Sequence, residues 1–251
     1  MRVKALDYEN PIAVLRDIYW VGFYDQEADL HCNPYLIIDD EEVLLFDPGS
    51  IPHFSVVMRK VIDVINPEEI THVVLSHQDP DVCGNIAVVE DLIGRDDLKL
   101  VNHSSLTRLV QHYGVKSPFY EVDKNGGKLE LKSGRVLEFL HTPFLHSPFG
   151  IVTYDHESKS LFSSDIFGGL SDHWSLFASE DAAFESMSRW HQLIIPSNRV
   201  LKDFLQKLER FDIQRILPQH GSILEGSFVP RAIEHLRNLP CGIDLTGGTL
   251  P

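Results

Sequence analysis

Two rhythms of apolar residues alternate along the chain. In "PYLIIDDEEVLLFDPG" two apolar runs flank an acidic turn, which predicts paired strands, and in the following "PHFSVVMRKVIDVI" Phe54, Val57, Met58, Val61 and Ile65 fall near helical spacing. "THVVLS" reads as a short buried strand, "GNIAVVEDLIG" as a helix closed by Gly94, and "LKLVN" as a strand. "SSLTRLVQHYG" reads as a helix with Ser104 or Ser105 as N-cap and Gly114 as terminator. Strands return in "KLELKSGRVLEFLHTP", around a Ser-Gly turn, and in "GIVTYDHESKSLFSSD", across a polar turn. Helices are predicted over 180–193, over 197–211 and near 229–239, with the strand "QRILP" before the last. In the second of these, Val200, Phe204, Leu208 and Phe211 share one face and Ser197 can cap it. The same sheet-then-helix order occurs twice without a Gly- or Ser-rich linker. This predicts a single α/β domain over residues 1–251, two sheets in a sandwich flanked by helices.

Composition narrows the function. A hydrophobic content of 43% fills a sizeable core, and Asp+Glu 37 against Lys+Arg 22 gives a formal charge of -15. That balance disfavours nucleic acid and anionic membranes as partners. "MRVKALDYEN" has no apolar signal region, no uninterrupted apolar run is long enough to span a bilayer, and the 3 cysteines make no disulfide framework. The expectation is a cytoplasmic protein.

The chemistry lies at strand ends. His77, Asp79 and Asp81 follow "VVLS", His146 follows "LEFLHTPFL", Asp165 follows "LFSS" and His220 follows "RILPQ". One histidine among 13 carries no weight, but a recurring position just past a strand does, because a rigid sheet edge can aim distant side chains at one point. Three imidazoles and three carboxylates form an N/O set that suits iron or manganese better than a site richer in imidazole and thiolate.

With "YWVGFYD", "NPYLIIDDEEVLLFDPG", "LSHQDPDVCGN", "LHSPFGIVTY", "LFSSDIFGG" and "RILPQHG", the sequence resembles the metallo-β-lactamase superfamily, and within it the di-iron domain of the flavodiiron proteins. The resemblance implies an αββα sandwich and two non-haem iron ions. It places His77, Asp79 and His146 on one iron and Asp81 and His220 on the other, with Asp165 bridging. Asp79 stands where zinc hydrolases of the superfamily carry histidine and where flavodiiron proteins generally carry glutamate. Val82 stands where the family's loop ends in histidine, which leaves an open position on the second iron. Water, hydroxide or O2 can take that position, or a histidine from elsewhere, with His31, His53, His103 and His173 as candidates, and Cys83 reads as a packing residue. The chain stops at "GIDLTGGTLP" without a flavodoxin domain, so no flavin of its own is expected. It therefore resembles the stand-alone oxygen-binding members. The implied function is binding of O2, with slow reduction at most, for oxygen or redox sensing. The alternatives are a reductase of O2 or NO fed by a separate flavoprotein or rubredoxin, and a metal-dependent hydrolase. A separate signalling or electron-transfer protein is the expected partner, and a homodimer is compatible but not required.

Overall fold

Neighbouring residues of one strand go to different layers. In Glu42–Phe46, Val43 and Leu45 join an apolar cluster with Val57 and Val61 of one helix and Val89 and Ile93 of another, whereas Leu44 and Phe46 join a cluster shared with a second sheet. The computed structural model describes residues 6–25, 30–170 and 174–246.

The strands are β1 (Ile12–Ala13), β2 (Ile18–Trp20), β3 (Phe23–Asp25), β4 (Leu30–Cys32), β5 (Tyr35–Asp39), β6 (Glu42–Phe46), β7 (Ile70–Val74), β8 (Lys99–Asn102), β9 (Phe119–Glu121), β10 (Lys128–Glu130), β11 (Val136–His141), β12 (Ile151–Asp155), β13 (Ser160–Ser164), β14 (Arg215–Pro218) and β15 (Leu224–Glu225). The helices are α1 (Phe54–Ile62), α2 (Pro80–Cys83), α3 (Ile86–Ile93), α4 (Ser104–Val110), α5 (Ala182–Ile194), α6 (Asn198–Leu208) and α7 (Phe228–Asn238). One sheet has the order β1-β2-β5-β6-β7-β8-β9, the other β10-β11-β12-β13-β14-β15, and β3 and β4 form a separate hairpin.

Three apolar clusters follow from this layering. Val57, Ile86 and Leu106 lie under the first sheet, and Leu161, Phe204 and Leu236 under the second. Between the sheets, Leu44, Phe46 and Val74 meet Leu137, Phe162 and Leu217. Helices therefore cover both outer faces of a two-sheet sandwich, as the alternating pattern predicts. Ser197 caps α6 by accepting from the Arg199 N–H, and Gly94 and Gly114 end their segments in the left-handed conformation, also as predicted. One expectation changes: the N-cap of α4 is His103, whose ring accepts from the Ser105 N–H, while Ser104 donates through its backbone and hydroxyl to Asp123. Among the described residues no helix is long and apolar enough to cross a membrane.

Candidate metal centre

β6 and β7 run parallel in one sheet, and β13 and β14 run parallel in the other, so their C-terminal ends project loops at the seam between the sheets. Asp47 follows β6, Ser76 and His77 follow β7, Asp165 follows β13 and His220 follows β14. A register shift between Phe162 and Ser164, with Ser164 at φ 54, turns the chain out of the ladder just before Asp165. The Ser164 hydroxyl then meets the Ser76 hydroxyl at 3.0 Å and His77 Nδ1 at 3.1 Å, tying the two sheets together directly beneath the cluster.

The structure brings all six residues singled out in the sequence to this seam. His77, Asp79 and His146 form one group able to hold a metal ion. Asp79 Oδ2 lies 3.7 Å from His77 Nε2 and 3.3 Å from His146 Nε2. Asp81 and His220 belong to a second group, with Asp81 Oδ2 3.3 Å from His220 Nε2. Asp165 stands between them. Its Oδ2 is 2.9 Å from His146 Nε2 and 3.6 Å from His77 Nε2, and its Oδ1 is 3.6 Å from His220 Nε2. Among the described residues that Oδ1 is buried and has no hydrogen-bond partner. A buried carboxylate oxygen without a partner is costly, and a cation beside it removes the cost.

Three of these ligands, His77, His220 and Asp79, are held at their other end by a neighbour. His77 turns Nδ1 to the Ser76 and Ser164 hydroxyls, which leaves Nε2 in the cluster. His220 donates from Nδ1 to the carbonyl of His31 at 2.9 Å. The Gln78 amide donates to Asp79 Oδ1 at 2.8 Å and its carbonyl accepts from the Ser147 hydroxyl, so Asp79 offers the cluster its Oδ2. Outer contacts of this kind set the orientation and tautomer of metal ligands. The Trp190 indole donates to the Asp165 carbonyl at 2.9 Å, and its ring lies 4.9 Å from that of His220.

The charges are mutually dependent. Burial works against ionisation of Asp165, but His77, His146 and His220 override it and hold the carboxyl well below the usual carboxylate range. Hydrogen bonds to Asp165 and Asp79 raise His146 to about 10, and Asp79 is lowered chiefly by the same contact with His146. For His220, burial opposes the cation, yet Asp81 and the other partners raise its pKa well above the ordinary value. Asp47, which accepts from the Ser76 N–H at 2.7 Å, is pushed up to about 6 by burial, against that bond. The carboxylates thus need compensating positive charge, which a divalent cation can supply in place of protons on the imidazoles. The donor set fits two metal ions.

Val82 offers the second group no ligand, and three of the four histidines considered for that place make other contacts. Val82 is fully buried in the apolar cluster of the first half. His31 stacks on Tyr24 and on Trp174, at 4.4 and 4.1 Å between ring centroids. His53 meets the Ser50 hydroxyl at 2.9 Å and Asp25 at 3.6 Å, and His103 stacks on His141 and caps α4. His173 lies outside the described residues. The side chain that joins Asp81 and His220 is Cys32, with all three ligand atoms within 4.8 Å of one another. Sequence reasoning missed it. Burial raises its thiol pKa, with His220 opposing. Cys83 is a buried packing residue as expected, its thiol 3.5 Å from the Asp79 carbonyl.

A protein-family model described as ODP family beta lactamase matches residues 30–221. Among solved structures, the chemotaxis sensor ODP, in a peroxy diiron species, is 26% identical with a TM-score of 0.79, covering 94% of this chain and 98% of that chain. The sensor in its apo state, from T. denticola, superposes with a TM-score of 0.80. The flavodiiron protein from Giardia intestinalis shares the fold with a TM-score of 0.83 at 23% identity, covering 92% of this chain and 59% of that one. The nitric oxide reductase of Moorella thermoacetica is 26% identical over 232 residues, 85% of this chain and 57% of its own length. The chain spans about half or less of the curated relatives it matches.

Proposed function

The chain belongs to the ODP family beta lactamases and has the metallo-β-lactamase fold; from that premise we propose that it is a non-haem di-iron protein that binds O2 in an oxygen- or redox-sensing role. The observation that carries this reading is Asp165, buried, with one oxygen facing His77 and His146 and the other facing His220. His77, Asp79 and His146 would hold one iron, Asp81 and His220 the other, and Asp165 would bridge them. Two ferrous ions held in this way would supply the one-electron and O2 or NO chemistry. The protein's part is to fix the ligands. Ser76 and Ser164 set the ring of His77, Gln78 sets Asp79, and the carbonyl of His31 sets His220. The sensing role draws support from the likeness to the chemotaxis sensor, which runs nearly the full length of both chains. A separate signalling protein is the proposed partner, docking over the loops that carry His31, His77 and His146.

The likeness to the Moorella enzyme favours a second reading, reduction of O2 or NO by electrons from a separate donor protein. Protein made in iron-replete cells should hold about two irons per chain, and Asp165→Ala should lose at least one of them while remaining folded. Stoichiometric zinc under those conditions would sink the di-iron reading, and a folded Asp165→Ala protein that keeps both irons would refute the bridging role of Asp165. Anaerobically reduced protein should take up O2 stoichiometrically without sustained consumption. Continuous O2 or NO consumption with NADH and a reductase would instead select the second reading.

A further inference from the structure

Cys32 is one of three buried cysteines, and it alone among them shares a group of ligand atoms with the proposed metal ligands. The chain on either side of it is sewn to the segment that carries His220. The His31 carbonyl accepts from His220 Nδ1 at 2.9 Å, and the Asn33 N–H donates to the Gln219 carbonyl at 2.8 Å. The Asn33 amide donates to the carbonyls of Pro218 and Gly221 at 3.0 and 2.9 Å, and its oxygen accepts from the Trp20 indole at 2.9 Å. Between those anchors, strand pleating sends successive side chains to opposite faces. His31 goes to Trp174 and Cys32 goes to His220 and Asp81.

We infer that Cys32 is a thiolate ligand of the second metal ion, completing with Asp81 and His220 the site from which Val82 withholds a side chain. A second observation points to a cation at the same place: the buried Asp165 Oδ1, without a hydrogen-bond partner among the described residues, lies 3.6 Å from His220 Nε2. On binding, the S–H bond breaks and the S–metal bond forms; the proton leaves to solvent and nothing is oxidised or reduced. The two sites are then chemically unequal. The first offers two imidazoles and a carboxylate, the second an imidazole, a carboxylate and a thiolate, a softer set. This inference rests on the two-site reading above and adds one ligand to it.

Cobalt(II) titrated anaerobically into the metal-free full chain tests both. Two cobalt ions should bind per chain, with a sulfur-to-cobalt charge-transfer absorption in the near ultraviolet. Cys32→Ser should abolish that band, keep the visible bands of the first site, and weaken second-site affinity by at least the roughly 10–100-fold that loss of an outer-shell partner costs. Cys83→Ser should leave the band unchanged. Two bound cobalt ions without the band in the wild-type protein, or a band that persists in folded Cys32→Ser, would overturn the thiolate and leave the two-site reading standing. Fewer than two cobalt ions without the band would overturn both. Because the wild-type spectrum decides on its own, the test survives a variant that fails to fold.

Discussion

His191 is wholly buried in α5, and both of its ring nitrogens are engaged. Nδ1 donates to the Met187 carbonyl at 2.7 Å and Nε2 accepts from the Phe167 N–H at 3.1 Å, which requires the neutral ring. Burial lowers its pKa to about 4, below the ordinary value of about 6.5. Between those values the unfolded chain binds the extra proton, so this contribution is fully present above about pH 6.5 and is lost as pH falls toward 4, about 3 kcal/mol in all. His191→Gln can make both bonds without titrating. The stability difference between the wild type and this variant, measured by urea unfolding, should therefore turn against the wild type by that order between pH 7 and 4; a constant difference would contradict the assignment. At this scale the six residues were legible because each follows a strand within a short loop or turn, and their pairing came from the resemblance. Cys32 was not legible. It reaches His220 across nearly the whole chain, and "LHCNPY" carries no ligand spacing. Its neighbour His31 was a candidate, one residue out of register on a pleated strand.

The hairpin of β3 and β4 shows how a weak element is held. Its strands have three residues each, too few to persist alone, and Asn33 at its exit carries the bonds to Trp20, Pro218 and Gly221. Asn33→Ala leaves the buried Trp20 indole without an acceptor, while the Pro218 and Gly221 carbonyls keep Tyr35 and Trp174 as donors, and should cost roughly 2 kcal/mol. Amide exchange should accelerate in Leu30–Cys32 while α6 and α7 stay protected; uniform acceleration would mean that Asn33 supports the whole fold and not this hairpin. Elements long enough to show a period were legible, among them α1, α3, α6 and α7. The four residues of α2, which set the path of the loop between Asp79 and Cys83, are too short for any period to appear. The cap of α4 was misplaced by one or two residues because the rule favours serine, while here Asp123 holds Ser104.

Across the whole molecule, the far edge of the sandwich has its own fastening. Arg135, before β11, is buried, with a guanidinium 2.5 Å from Asp155 of β12 and also paired with Asp17, which lies between β1 and β2 of the other sheet. Removing the cation strands a buried carboxylate, so Arg135→Met should destabilise the protein by about 3–5 kcal/mol, read from chemical unfolding. A loss below 1 kcal/mol would show that water takes over the charge of Asp155. The sandwich itself was legible because alternation recurs in strand after strand, and each strand needs two apolar layers to bury it. The order of strands within each sheet was not, since it depends on crossovers that leave no local mark. One contact at the seam reaches beyond stability and ligation. Trp190 is one of 3 tryptophans, and it lies edge-on to His220 with its indole bonded to Asp165. An open-shell ion beside that ring drains the excited state of an indole, whereas closed-shell zinc does not. The fluorescence of the metal-loaded protein should therefore distinguish an open-shell ion from zinc, without any label.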